Sequence, residues 1–298
     1  MRPILLLFLA WAAVAAEPIP VITGTTVIAD LTARIGGGRF AVTCLGRPGV
    51  DPHAYQPVPD DVRRLAAARL VIINGLGFEG WFEKLAAEAR FAGTVVVATA
   101  GIVPLAMGEG GCGDPGHDHG HGAAVPDPHP YNSIRQGLRY VENIRDALVA
   151  ADPAGVEELR ARATDLLGEL RRTDAWATAR LAAIPRAHRT IITNHEALAY
   201  FAKDYGFAVQ APNTALEDSQ PSAKQLAALV AHIRQQGVKG VFLEYGANPK
   251  LIEQIAAEAG VRVGAALYLD GVGPPDSPAA SYVGMFRANV EAICAALQ

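Results

Sequence analysis

The sequence predicts an α/β protein of two lobes, each a mostly parallel four-stranded sheet flanked by helices, joined by one long spine helix. Three observations carry that prediction. Short apolar runs alternate with helical patterns, the signature of βα units and parallel sheets. The alternation runs through four strands and their helices, and then does so again. Between the two sets lies Pro153–Ala183, a helical stretch almost free of Gly and Pro. A chain of 298 residues, 50% hydrophobic, suffices for one large core or two lobes of ordinary domain size.

In chain order, Arg2 precedes the apolar run 4–14, and Ala15-Ala16 close it. This reads as a signal peptide over 1–16, with cleavage near Ala16 and export to a soluble compartment. The run is short of the roughly 20 residues a spanning helix needs. The N-terminal lobe is expected over 17–150. Its strands are Ile19–Thr23, Phe40–Cys44, Leu70–Asn74 and Thr94–Ala98, with helical spacing at Val27–Ile35, Asp60–Arg69 and Trp81–Arg90. Gly36-Gly37-Gly38 follows a helix instead of opening one, so it reads as a helix stop and not as a phosphate cradle. Residues 107–130 are rich in Gly, Pro, His and Asp, without hydrophobic periodicity. A segment of that length is more than a connection. Ser133–Ala150 is helical. Asp152-Pro153 supplies an N-cap and first turn for the linking helix over 151–183, about 45 Å of helix at 1.5 Å per residue. The C-terminal lobe, 184–298, carries strands Thr190–Thr193, Phe207–Gln210, Gly240–Glu244 and Val261–Ala265. Its helices are Ala197–Asp204, Ser222–Gln235, Pro249–Ala259 and Tyr282–Leu297.

The formal charge of −4, with no dense Lys/Arg cluster, argues against nucleic acid as a partner. Three cysteines, Cys44, Cys112 and Cys294, are too few for a disulfide scaffold and leave any pairing open. There is no HExxH, no phosphate-binding glycine-lysine loop and no Gly-x-Ser-x-Gly elbow.

Four residues stand out by position. His53 in Asp51-Pro52-His53 follows the second strand, and His129 in Asp127-Pro128-His129 follows the fourth. His195 lies just past the first strand of the second lobe, and Asp270 just past its last. Ligands of open α/β sheets bind outside the carboxyl ends of strands, where all four fall. Proline before histidine fixes the local backbone. Three imidazoles and a carboxylate make a tetrahedral set suited to Zn²⁺, although imidazole also suits copper, iron and nickel. A lone histidine is more often a loop or capping residue; four at matching positions are harder to explain that way. His117, His119 and His121 form a second, glycine-flanked cluster of the kind that binds divalent metals weakly. Cys112 lies nearby. Glu244 ends a strand facing the expected cleft, whereas Glu217 and Asp218 read as solvated or capping charges.

These segments resemble the metal-binding (cluster 9) solute-binding proteins of ABC transporters. The resemblance rests on the run 49–62, Gly-Val-Asp-Pro-His-Ala-Tyr-Gln-Pro-Val-Pro-Asp-Asp-Val, and on the run 74–81, Asn-Gly-Leu-Gly-Phe-Glu-Gly-Trp. It is joined by Thr193-Asn194-His195-Glu196-Ala197 with Tyr200-Phe201-Ala202, and by Val241-Phe242-Leu243-Glu244 with Lys250. The motifs occur in order over nearly the whole chain after residue 16. By position, the resemblance puts the family's ligands on His53, His129, His195 and Asp270. Histidine at the third position, where manganese binders tend to have glutamate, points with the His-rich loop to the zinc-specific subgroup; Glu196 stands beside it. Pro130-Tyr131-Asn132 departs from the family's usual Trp-Leu-Asp-Pro continuation. The resemblance implies Zn²⁺ as transported ligand, a monomer in the periplasm, a permease in the inner membrane as partner, and a periplasmic zinc chaperone as a further candidate. Competing expectations are a manganese or iron carrier on the same fold, and a secreted zinc hydrolase using Glu244 or Glu196 as base. A surface protein that metal merely stabilises is another.

Overall fold

The computed structural model describes residues 17–107, 125–212 and 222–298. The expectations for residues 1–16, Cys112, His117, His119, His121, Glu217 and Asp218 lie outside them. The first lobe is built on β1 (Ile19–Thr23), β2 (Phe40–Cys44), β3 (Leu70–Ile73) and β4 (Thr94–Val97). All four run parallel in the order β2-β1-β3-β4. The crossovers contain α1 (Thr26–Gly36), α2 (Pro59–Ala67) and α3 (Phe82–Glu88). Thr25 starts α1 by accepting the Ile28 N–H on its hydroxyl at 3.3 Å. Gly37, at φ 53°, stops it by donating to Ala33 O, the left-handed exit that favours glycine.

Two helices follow, α4 (Ile134–Ala151) and α5 (Val156–Ala182). At 27 residues, α5 is about 40 Å long. It begins at Val156, three residues later than expected. Pro153–Gly155 form a separate 3₁₀ turn, so Asp152 is not the N-cap of α5; its carboxylate accepts from Arg39 Nε at 2.5 Å. Leu159, Ala163, Leu166, Leu167, Leu170, Thr173, Ala177 and Leu181 are buried. Their three- and four-residue spacing gives α5 one continuous apolar stripe. That stripe packs against α4 and against α1 of the first lobe.

The second lobe contains β5 (Thr190–Ile192), α6 (Ala199–Tyr205), β6 (Ala208–Gln210), α7 (Ala223–Gln236), β7 (Gly240–Glu244), α8 (Lys250–Ala259), β8 (Arg262–Leu267) and α9 (Tyr282–Leu297). Its strands form two parallel hydrogen-bonded pairs, β5–β6 and β7–β8, with β5 lying against β7. Side chains join the pairs where backbone does not: Asn194 Oδ1 accepts the Glu244 N–H at 3.1 Å. Left-handed glycines end α6, α7 and α8 at Gly206, Gly237 and Gly260, the usual helix stop.

α9 packs on α5 from the second lobe, so both lobes share the long helix. A single buried cluster runs from Val21, Ile28 and Leu31 through Leu166 and Leu170 to Ile191, Phe201 and Phe286. The carboxyl ends of the strands meet at the seam. Cys44 and Cys294 are free thiols. No described helix is long and apolar enough to cross a membrane.

Candidate metal centre

Each histidine reaches the seam from a turn fixed by its own sequence. Asp51 Oδ1 accepts the backbone N–H of His53 at 2.8 Å, and Asp127 Oδ1 does the same for His129 at 2.9 Å. The two Asp-Pro-His motifs therefore make the same turn, with aspartate bonding backbone two residues on. They differ at the ring. Asp127 Oδ1 also lies 2.8 Å from His129 Nδ1, whereas His53 Nδ1 is buried without a partner among the described residues. Distant side chains brace both turns. Trp81 Nε1 donates to Pro52 O at 3.2 Å, and Asn74 Nδ2 donates to Pro128 O at 2.9 Å.

Behind His53 lies an unusual loop. Gly75, Leu76 and Gly77 all have positive φ, at 83°, 56° and 82°. Leucine there is strained, since its Cβ crowds the carbonyl. Glu79 holds the loop by accepting the Asn74 and Gly75 N–H groups at 2.7 and 3.1 Å. The result sets the Phe78 ring 4.4 Å from that of His53 and walls the site from the first lobe. Burial pushes the Glu79 carboxyl up to about 7, against the pull of those N–H donors.

From the second lobe, Glu244 at the end of β7 is 4% exposed and grips His195 twice. Oε1 accepts the backbone N–H at 2.8 Å, and Oε2 lies 2.6 Å from Nδ1. A carboxylate on Nδ1 fixes the tautomer whose Nε2 lone pair faces a metal.

The structure brings all four expected residues together. Ligand atoms of His53, His129, His195 and Asp270 lie within 4.8 Å of one another, and they form the one such group among the described residues. Glu196, beside His195, is not a member. His53 Nε2 and His129 Nε2 are 3.1 Å apart. Asp270 Oδ1 lies 3.4 Å from His195 Nε2 and 3.9 Å from the Nε2 atoms of His53 and His129. A tetrahedron with bonds of 2.0–2.1 Å has edges of about 3.3–3.4 Å, close to these separations. His195 Nε2 and Asp270 Oδ1 are buried and face each other at 3.4 Å without making a well-formed hydrogen bond. Unpaired buried polar atoms are costly, and a shared cation satisfies both.

The charges are arranged for the same purpose. Burial, then the nearby His129 imidazole, lowers His53 to about 4, so its ring is neutral at pH 7. Asp270 is held below the ordinary carboxylate range: burial opposes its charge, and His195 overcomes that. Burial also opposes charge on His195, yet the carboxylates of Glu244 and Asp270 raise its pKa well above the usual value. The raised pKa favours the protonated His195 ring, and metal binding must displace that proton.

The sequence assigned no part to Asn74, Phe78, Glu79 or Asn132, and left Glu244 undecided. The Asp-x-His spacing marks Asp127 as a partner of His129. Glu244 meets His195 across 49 residues of chain, which no local spacing reports.

Two parallel α/β lobes on a shared long helix, with metal-ligating groups converging at the strand ends between them, define a bilobal binding protein for a small cation. The comparisons with known proteins agree. Residues 21–296 match the family model of the periplasmic zinc-uptake complex component A, ZnuA, and the chain belongs to that family of metal-binding proteins of ABC import. It is 32% identical over 278 residues to the iron-binding protein YfeA of Yersinia pestis, covering 93% of this chain and 86% of the relative. It is 31% identical over 290 residues to the manganese-binding lipoprotein MntA of Bacillus subtilis, covering 95% and 90%. Among solved structures, the periplasmic zinc-binding protein TroA of Treponema pallidum superposes with a TM-score of 0.84 at 27% identity, over 95% of this chain and 99% of that one. By name these relatives are metal-binding proteins, not enzymes. Glu244, with both oxygens committed to His195, is no free base for a hydrolase.

Proposed function

We propose that this chain is a high-affinity zinc-binding protein of the periplasm that delivers Zn²⁺ to an ABC importer, with His53, His129, His195 and Asp270 as the four ligands. The observation that carries the reading is the convergence of three Nε2 atoms and one carboxylate oxygen within 4.8 Å. Three imidazoles and one oxygen suit zinc better than manganese, which favours a more oxygen-rich shell. A metal held by four protein groups has no open position, so it is bound without activating water.

The chain divides for this purpose into a lobe over 17–150, a linking helix over 151–183 and a lobe over 184–298, after an export signal over 1–16. It works as a monomer, handing the ion to an inner-membrane permease. A periplasmic zinc chaperone is a candidate donor. Release requires one ligand to withdraw, because a closed four-ligand shell leaves no route for direct transfer. His117, His119 and His121 are assigned a weak gathering role.

A manganese or iron carrier is the second reading, favoured by the names of YfeA and MntA. A competitive titration of metal-free protein with Zn²⁺ and Mn²⁺ against a chromophoric chelator separates the two. One tight zinc equivalent that manganese does not displace is expected. Preference for manganese, or no tight site, would overturn the zinc assignment.

A further inference from the structure

We infer that Asn132 is a positioning residue for the metal centre: its amide ties together the backbone segments that carry His195 and Asp270 and sets both relative to His129. This rests on the reading of those three residues as ligands. Asn132 closes the 3₁₀ turn Pro130–Asn132 that follows His129, and its backbone N–H returns to His129 O at 3.1 Å. The side chain, 2% exposed, donates from Nδ2 to Ala197 O at 3.0 Å and to Leu269 O at 2.9 Å. Ala197 lies two residues after His195, and Leu269 one before Asp270.

The orientation of this amide is forced. Both acceptors are carbonyls, so a flipped amide would set Oδ1 against two oxygens. Oδ1 itself has no partner among the described residues, so the group serves here as a donor only. An aspartate at 132 has the same shape and no N–H, and would repel both carbonyls. The turn is also held from both sides of the seam. Tyr282 Oη of α9 donates to Tyr131 O at 2.8 Å, and Asn74 holds Pro128 O from the first lobe. Three ligands borne on segments more than 60 residues apart thus share one planar group as a spacer. Small misplacements of such groups weaken a metal site far more than they weaken a fold.

The test compares Asn132→Leu with Asn132→Ser, which is smaller and keeps one donor if the leucine variant fails to fold. Ile255→Ala serves as a control, a cavity in the outer cluster of the second lobe. Hydrogen exchange is read on metal-free protein, and zinc affinity by chelator competition at a temperature where every variant is folded. Loss of the clamp is expected to raise exchange at 195–198 and 268–271 together and to weaken zinc binding roughly 10- to 100-fold. Ile255→Ala, although destabilised, is expected to bind like the wild type. Unchanged exchange at either segment would overturn the proposal, as would affinity within threefold of the wild type. So would a control whose affinity falls in step with its stability. A wild-type protein with no tight zinc site would remove the ligand reading itself, and the exchange data would then leave Asn132 a purely structural bridge.

Discussion

Replacing Glu244 by glutamine removes one negative charge from a buried position and little else. In the wild type, the carboxylate accepts from His195 at both backbone N and Nδ1, at 2.8 and 2.6 Å. Glutamine offers one oxygen, so its NH₂ group must face one of the two donors. If it faces Nδ1, the ring keeps its proton on Nε2, the atom that points at Asp270, and that proton opposes metal. Carboxylate partners of ligating histidines carry typically 10- to 100-fold in affinity, or about 1.4–2.8 kcal/mol at 1.4 kcal/mol per tenfold. The same change alters proton release. Because the His195 pKa in the empty site is raised, wild-type zinc affinity is expected to fall about tenfold per pH unit as pH drops below it, and to level off above it. Without Glu244 the imidazolium loses one of its two anions, so fewer protons leave on binding at pH 7. Chelator competition gives the affinity; calorimetry in two buffers of different ionisation enthalpy counts the protons. A variant that binds within threefold of the wild type and releases as many protons would refute this account of His195.

Two further outcomes follow from groups around the site. Glu79 is buried with its pKa raised to about 7, above its unfolded value, so its ionisation opposes folding; wild-type stability from this group rises as pH falls from about 7 toward 4.5, by about 3 kcal/mol in full. Glu79→Gln is therefore expected to gain on the wild type in thermal midpoint between pH 5 and pH 8, and parallel curves would show that Glu79 does not titrate there. Replacing His117, His119 and His121 together is expected to abolish the weaker zinc equivalents in a titration and to leave one tight site; loss of the tight site would remove their auxiliary role.

Much of this site was legible because its determinants are local. The Asp-Pro-His motif encodes a turn, and the place of each proposed ligand past a strand end follows from βα alternation. A helix end was legible where the run Gly36-Gly37-Gly38 marks it. The start of α5 was less so, where Asp152 has two uses and tertiary structure chose Arg39. The supports of the ligands were hidden. Glu244 and His195 come from β7 and the end of β5, and Asn132 acts on carbonyls 65 and 137 residues away. Carbonyls are present at every residue, so no sequence pattern marks which ones are held. The pairing of the second lobe into β5–β6 and β7–β8, joined by Asn194 and Glu244, belongs to the same class: side chains replace ladder bonds only once the strands are in place.

The shared core has a consequence for how binding is felt. Each lobe keeps a smaller cluster of its own, but α1, α4, α5 and α9 bury the largest one in common, so melting either lobe strips apolar cover from the other. An ion held at the seam by groups from both lobes stabilises the two together. Its binding energy is added to the unfolding free energy of the whole molecule, about 4 kcal/mol at free metal a thousandfold above Kd. Loading and unloading at a spot a few ångströms wide thus become a change in the resilience of the entire chain.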